Sequence, residues 1–363
     1  MKVPFLSFKK EWGILRADFL NALDKFGESG YYVLGPEVDE FENDFAKYCG
    51  YKYAVGVSTG LSALETILHA HNISTDDEVI TVANSAVATA LAISNVGAKP
   101  IFCDIGNDFL IDSSKIENLI TKKTKAILLV HLFGKICEMN KINEIAKKHN
   151  LLVIEDACQA HGANFQGESM VNTKAFSFYP TKNLGALGEA GMIVTNDEKI
   201  RDFALSYRNY GQEKRYCHTI KGNNYRIDAL QCAFLSIKLK DLDNAVSKRR
   251  EIAKNYVDKL SNLDGLVVND FDDSSSYHLF VIRVIKNKRD KLKDFLEKSG
   301  VTTLIHYPLL INKQPCYKEE YPDCLLEKAD KFQDEILSLP CYPLLTEEEQ
   351  NYVIDKLKEF FSN

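Results

Sequence analysis

Apolar residues fall along this chain in two rhythms. Short unbroken runs occur at 53–57, 79–82, 100–102, 126–130, 151–154, 175–178 and 191–195. Between them the spacing turns helical, as in Val38, Phe41, Phe45 and Tyr48 after Pro36, or Leu61, Leu64, Ile67 and Leu68. Residues 139–149 have the same character, and Pro36 suits the first turn of a helix. Runs without polar alternation belong to strands buried on both faces, so the first half predicts an α/β fold around a mostly parallel sheet. No G-x-G-x-x-G follows any of these strands, which counts against a dinucleotide site.

Beyond residue 200 the pattern changes. Helical spacing predicts one long helical region over 227–260, carried by Leu230, Phe234, Ile237 and Leu242. Strands are then expected at 278–284 and 301–305, a helix at 290–298, and closing helices near 327–337 and 347–361. This last third reads as a smaller α+β unit.

Length and composition narrow the classes. The chain has 363 residues, enough for two or three domain-sized units, with 45% hydrophobic and 26% charged residues. A net charge of −6 without a basic, aromatic-laced cluster gives no footprint for nucleic acid or a membrane surface. Nine cysteines without C-x-x-C spacing argue against a disulfide framework or a zinc site, and favour a reducing compartment. With no signal-like apolar start and no run of membrane-spanning length, a cytoplasmic protein is expected.

Three stretches carry candidate chemistry. Ser58-Thr59-Gly60 lies between a strand and a helix, where free amides and the helix dipole favour an anion; an ordinary capped helix has the same pattern. The strand at 151–154 runs into Glu155-Asp156-Ala157-Cys158-Gln159-Ala160-His161-Gly162, at the carboxyl end where ligands of open α/β sheets collect. An acid there either caps a helix or serves a ligand. The run Ser177-Phe178-Tyr179-Pro180-Thr181-Lys182-Asn183-Leu184-Gly185 continues to Gly188-Glu189-Ala190-Gly191. Lys182 is either a loop lysine in water or an amine whose basicity falls with desolvation, the form that condenses with carbonyls.

Ser177-Phe178, then Lys182-Asn183-Leu184 and the Gly-acid-small-Gly turn, resemble the cofactor-lysine segment of the DegT/DnrJ/EryC1/StrS sugar aminotransferases. The resemblance spans nearly the whole chain, from Val3-Pro4-Phe5-Leu6 to Leu339-Pro340. It implies the aspartate-aminotransferase fold (pyridoxal-phosphate fold type I), with a large domain over 1–240 and a small one over 241–363. It also implies pyridoxal 5'-phosphate as cofactor. Lys182 is then the Schiff-base lysine, Asp156 the partner of the pyridinium nitrogen, and Gln159 a neighbour of the ring hydroxyl. Thr59, Gly60 and Ser177 would hold the phosphate. Asn224, within Gly222-Asn223-Asn224-Tyr225-Arg226, would reach the cofactor of a neighbouring subunit, which implies a homodimer with shared sites.

The implied reaction moves an amino group, from L-glutamate in this family, to a nucleotide-linked keto sugar. Val130-His131-Leu132-Phe133-Gly134, Gln159-Ala160-His161-Gly162 and Arg208-Asn209-Tyr210-Gly211 are similar to the versions in enzymes that aminate C3 of a dTDP-3-keto-6-deoxyhexose. His161 either assists proton transfer or sugar contact, or is a buried structural histidine. Tyr31, Arg226, His306 and Tyr307 are expected sugar contacts, although Gly30-Tyr31-Tyr32 also suits surface packing. Three departures stand out: Ala86 where an aromatic commonly stacks on the cofactor, Asn312 where histidine is common, and a stretch at 167–176 about three residues short. The alternatives are a 4-aminotransferase and a non-catalytic nucleotide-sugar-binding protein; Lys182 argues against a sugar dehydratase, whose family members have histidine in its place.

Overall fold

In chain order, a computed structural model describing residues 1–164 and 172–362 begins with α1 (Phe8–Ser29) and α2 (Pro36–Cys49). The elements then alternate: β1 (Tyr53–Val57), α3 (Gly60–Ala70), β2 (Glu78–Val82), α4 (Ala88–Asn95) and β3 (Lys99–Cys103). The single turn α5 (Ser113–Ile116), β4 (Thr124–Val130), α6 (Met139–His149) and β5 (Leu152–Asp156) follow, then β6 (Thr173–Ser177), β7 (Gly191–Thr195) and α7 (Glu198–Tyr207). Strands β1 to β7 form one sheet in the order β1-β7-β6-β5-β4-β2-β3. Only β7 runs against its neighbours, β1 and β6. The expected α/β sheet is therefore present, and its buried strands explain the unbroken apolar runs.

A short hairpin, β8 (Gln212–Lys214) with β9 (Cys217–His218), leads to α8 (Ala229–Leu239) and α9 (Leu242–Leu260). The helical region beyond 227 is thus two helices, not one, because the chain leaves helical geometry at Asp241 (φ −110°, ψ 5°). A second sheet, β10-β11-β12, comprises β10 (Leu266–Val267), β11 (Phe280–Val284) and β12 (Ile336–Leu339), all antiparallel. Helices α10 (Arg289–Lys298), α11 (Glu327–Gln333) and α12 (Glu347–Ser362) complete this part.

Two expectations fail here. Residues 301–305 make no strand: Val301 bridges Val3 and Leu304 bridges Ser338, so the segment meets two different partners instead of one ladder. The helix expected to reach residue 337 stops at Gln333, because Ile336-Leu337-Ser338-Leu339 is buried as β12 against β11.

Local chemistry accounts for the elements beside the site. Helix α2 starts on Pro36 and buries Val38, Phe41 and Phe45, while Gly50 closes it in the left-handed conformation. Phe45 meets Phe176 of β6 and Phe178 just beyond it, edge-on, with both centroids 5.1 Å away. These rings fasten α2 to the strand that delivers Lys182. Phe45→Ala should therefore lower folding stability by about 3–5 kcal/mol, read as a lower urea midpoint at unchanged slope. A loss below about 1 kcal/mol would mean that the neighbouring rings refill the space.

Candidate active site

The carboxyl ends of the parallel strands open on a cavity of about 960 Å³. Its wall includes Thr59, Gly60, Asp156, Gln159, Ser177, Lys182, His306 and Tyr307. Eight of the twelve residues singled out from the sequence are therefore brought together. The other four, Tyr31, His161, Asn224 and Arg226, are not part of this wall.

Each wall residue has a local reason for its position. Thr59 caps α3: its Oγ1 accepts from the Ser62 amide at 3.0 Å, and its own amide donates to Ser62 Oγ at 2.9 Å. The amides of Gly60 and Leu61 begin the helix before any intrahelical acceptor is available. Close packing reinforces this turn. A Cβ at Gly60 would lie 2.7 Å from Ser177 Cβ, and one at Gly191 would lie 2.2 Å from Thr59 O. Only glycines let the helix start rest directly on the ends of β6 and β7.

Asp156 ends β5 and is buried. Its Oδ2 accepts from Thr89 Oγ1 at 2.9 Å and its Oδ1 from the Cys158 amide at 3.1 Å. Gln159 Oε1 accepts from the Phe133 amide at 2.8 Å, while its Nε2 donates to Tyr307 Oη at 3.3 Å. The Lys182 loop is drawn closed by two backbone bonds, Phe178 N to Ala190 O and Ala186 N to Phe178 O, each 2.8 Å. Within it, Asn183 Nδ2 donates to Ser276 O at 3.0 Å, tying the lysine to the segment before β11. Burial lowers the basicity of the Lys182 amine, against the opposing pull of Cys158 and Asp156.

The histidines differ. His306 accepts or donates at Nδ1 with Ser338 Oγ (2.9 Å), and burial, aided by the Lys182 charge, lowers its pKa to about 4. His161 is buried against Phe176 and Phe178, with centroids 5.2 and 5.6 Å away, and lines a different cavity with Tyr48, Lys174 and Arg250. Among the described residues neither of its ring nitrogens has a hydrogen-bond partner, and burial lowers its pKa to about 3. Tyr31 and Asn224 are exposed. Arg226 donates to Asn209 Oδ1 at 2.8 Å and lies over the Tyr210 ring.

Sequence reasoning missed Thr89, Cys158, Arg249 and His278 as wall residues. Thr89 is the second residue of an ordinary apolar helix, so no local pattern marked it. His278, a polar residue just before a buried strand, was the one detectable signal. Of the departures, Ala86 lines the cavity, whereas Asn312 is buried and donates to Cys324 O at 3.2 Å. The shortened stretch lies partly outside the described residues, at 167–171.

Pyridoxal phosphate fits this donor set. The Thr59–Gly60 turn and Ser177 offer amides and hydroxyls for a phosphate, Asp156 a carboxylate for a ring nitrogen, and Lys182 an amine for an aldehyde.

The model of the DegT/DnrJ/EryC1/StrS aminotransferase family matches residues 14–358. A dTDP-3-amino-3,6-dideoxy-alpha-D-galactopyranose transaminase of Aneurinibacillus thermoaerophilus is 43% identical, over 99% of each chain. Streptomyces venezuelae DesV, solved in complex with a ketimine intermediate, superposes with a TM-score of 0.96 at 37% identity, covering 100% of this chain and 99% of its own. NtdA from Bacillus subtilis, solved with bound cofactor PMP, gives 0.95 at 33% identity, covering 100% and 86%.

The buried histidines set an acid limit on the fold. Between pH 6.5 and about 3, unfolded chain takes up a proton at His161 that the folded chain refuses, so stability falls with pH. Going from pH 7 to pH 5 should cost about 2 kcal/mol through His161 alone. A His161→Gln variant should lose less stability over that interval, measured by urea unfolding of the apoprotein. Equal losses in the two proteins would show that His161 titrates like an exposed histidine.

Proposed function

The chain belongs to the DegT/DnrJ/EryC1/StrS aminotransferase family, and from that premise we propose that it aminates C3 of a dTDP-linked 3-keto-6-deoxyhexose. It is a pyridoxal-phosphate-dependent aminotransferase acting on nucleotide-linked sugars. The observation that carries the reading is the convergence of Lys182, Asp156 and the Thr59–Gly60 turn on one cavity. A non-catalytic binding protein has no use for an amine held at lowered basicity beside that carboxylate and turn. L-Glutamate is the proposed donor. The amino sugar is proposed to enter a surface polysaccharide or a glycosylated product, made in the cytoplasm. Among the described residues, no helix is long and apolar enough to cross a membrane.

Bound pyridoxal phosphate supplies an aldehyde that accepts amines and a ring that takes up the electron pair of a deprotonated carbon. Asp156 would keep the ring nitrogen protonated, and Thr89 holds that carboxylate in place through its 2.9 Å bond. Thr59, Gly60 and Ser177 would bind the phosphate, and Gln159 would bear on the ring hydroxyl. Lys182 Nζ would carry the proton to and from the carbon that bears the amine. His306 and Tyr307, on the same wall, are proposed sugar contacts. Over a full cycle the donor leaves as a keto acid and the keto sugar leaves as an amine.

Lys182→Ala should abolish turnover while the fold remains. The assay supplies L-glutamate and a dTDP-3-keto-6-deoxyhexose, then identifies the aminated carbon by NMR. Wild-type turnover in the variant would remove Lys182 from the mechanism. Amination at C4 would move the substrate reading to the 4-keto class.

The domain division near residue 240 and the homodimer are proposals on the same footing. Exposed Asn224 and Tyr31, with Arg226, lie off their own chain's cavity wall, which suits service to a second copy. Mixed Lys182→Ala and Asn224→Ala chains should regain activity above either parent, because one site of the heterodimer keeps both groups. An impaired Asn224→Ala without rescue in verified heterodimers would assign Asn224 to its own chain.

A further inference from the structure

Arg208, the buried arginine besides Arg249 among the described residues, has a carboxylate partner, as does the partly buried Arg283. Arg208 pairs with Glu42, and Arg283 pairs with Glu335 at 2.8 Å. Arg249, on α9, is 4% exposed, yet among the described residues no carboxylate lies within 4 Å of it. Its Nη1 donates to the carbonyl of Cys341 and, at 3.4 Å, to those of Tyr277 and His278. Among the described residues its buried Nε has no hydrogen-bond partner. Glu11, the acid acting on it from a distance, is already engaged by Lys238 at 2.7 Å.

Arg249 lines the large cavity together with Lys182, His278 and Leu339. It also lines a smaller cavity that shares Lys182 and Thr181 with the large one. A buried cation without a counter-ion is costly, and an arriving anion removes that cost. The phosphate end of the cavity has its own anion site at Thr59 and Gly60, so Arg249 is free for a different acid.

We propose that Arg249 is the binding residue for a carboxylate of the amino-acid donor, and of the keto acid it becomes. The planar guanidinium matches a carboxylate fork, and three carbonyls fix its orientation before the ligand arrives. The nearby Lys182 then meets the donor carbon at a set distance from that anchor. This assignment rests on the aminotransferase reading above and deepens it, without depending on which sugar is the acceptor.

The probe is glutarate, a five-carbon dicarboxylate with neither amine nor keto group, bound to the cofactor-loaded enzyme in calorimetry. Arg249→Lys keeps a cation and carbonyl contacts but loses the fork. It should weaken glutarate binding about 10- to 100-fold, the value of charge-assisted hydrogen bonds. Binding of dTDP and cofactor content should stay within about twofold. Equal weakening of glutarate and dTDP, or no weakening of glutarate, overturns the assignment. If the variant does not fold, a crystal structure of the wild-type enzyme with glutarate decides. A carboxylate within hydrogen-bond reach of Arg249 supports the assignment; one seated elsewhere overturns it. Arg249-dependent glutarate binding in an enzyme that aminates no nucleotide sugar would sink the substrate reading alone.

Discussion

The start of α3 has to sit directly on the ends of β6 and β7. With Thr59 O 2.2 Å from a would-be Cβ at Gly191, and Ser177 Cβ 2.7 Å from one at Gly60, these backbones leave no room for side chains. That approach puts the free amides of a helix N-terminus beside the strand that runs into the lysine loop. Much of the remaining structure serves this contact. Phe41, Phe45, Phe176 and Phe178 pack beneath it, and Gly56 O, on the adjoining strand β1, accepts from Arg208 at the end of α7. A side chain at Gly60 or Gly191 would separate the Thr59–Gly60 turn from the lysine loop before it disturbed any distant part of the core.

Desolvation then supplies the chemistry. One cavity lowers the basicity of Lys182, holds His306 neutral down to about pH 4, and, among the described residues, leaves Arg249 without an acid. Each of these is costly for folding, and each is useful to an enzyme that handles amines and carboxylates. Several buried charges elsewhere are balanced locally, as in Glu155 with Lys174, or Arg208 with Glu42. The contrast between balanced and unbalanced charge separates the packing ion pairs from the reactive site.

Departures from the family pattern divide the same way. Ala86 borders the cavity with a small side chain, whereas Asn312 is buried, donates to Cys324 O and does not line that cavity. His161, attractive in sequence because it follows Asp156 and Gln159 so closely, packs instead on Phe176 and Phe178. Two residues further along a turning loop is enough to change which cavity a side chain faces.

The order of strands and helices, the buried character of the sheet, and the lysine, acid and small-residue turns were legible in the sequence. All are local: apolar periodicity, loop composition and a motif of contiguous residues. Strand 191–195 could be found but not its antiparallel direction, since direction depends on where the loop before it returns. The strand at Ile336–Leu339 escaped because its burial is set by β11, far earlier in the sequence, and nothing in the apolar spacing marks the break at Asp241. Thr89 and Arg249 were invisible for a related reason. Their roles come from a hydroxyl 67 positions from its carboxylate, and from a guanidinium left without an acid by everything packed around it. A sequence displays which groups are present; only the folded chain decides which of them are left unpaired.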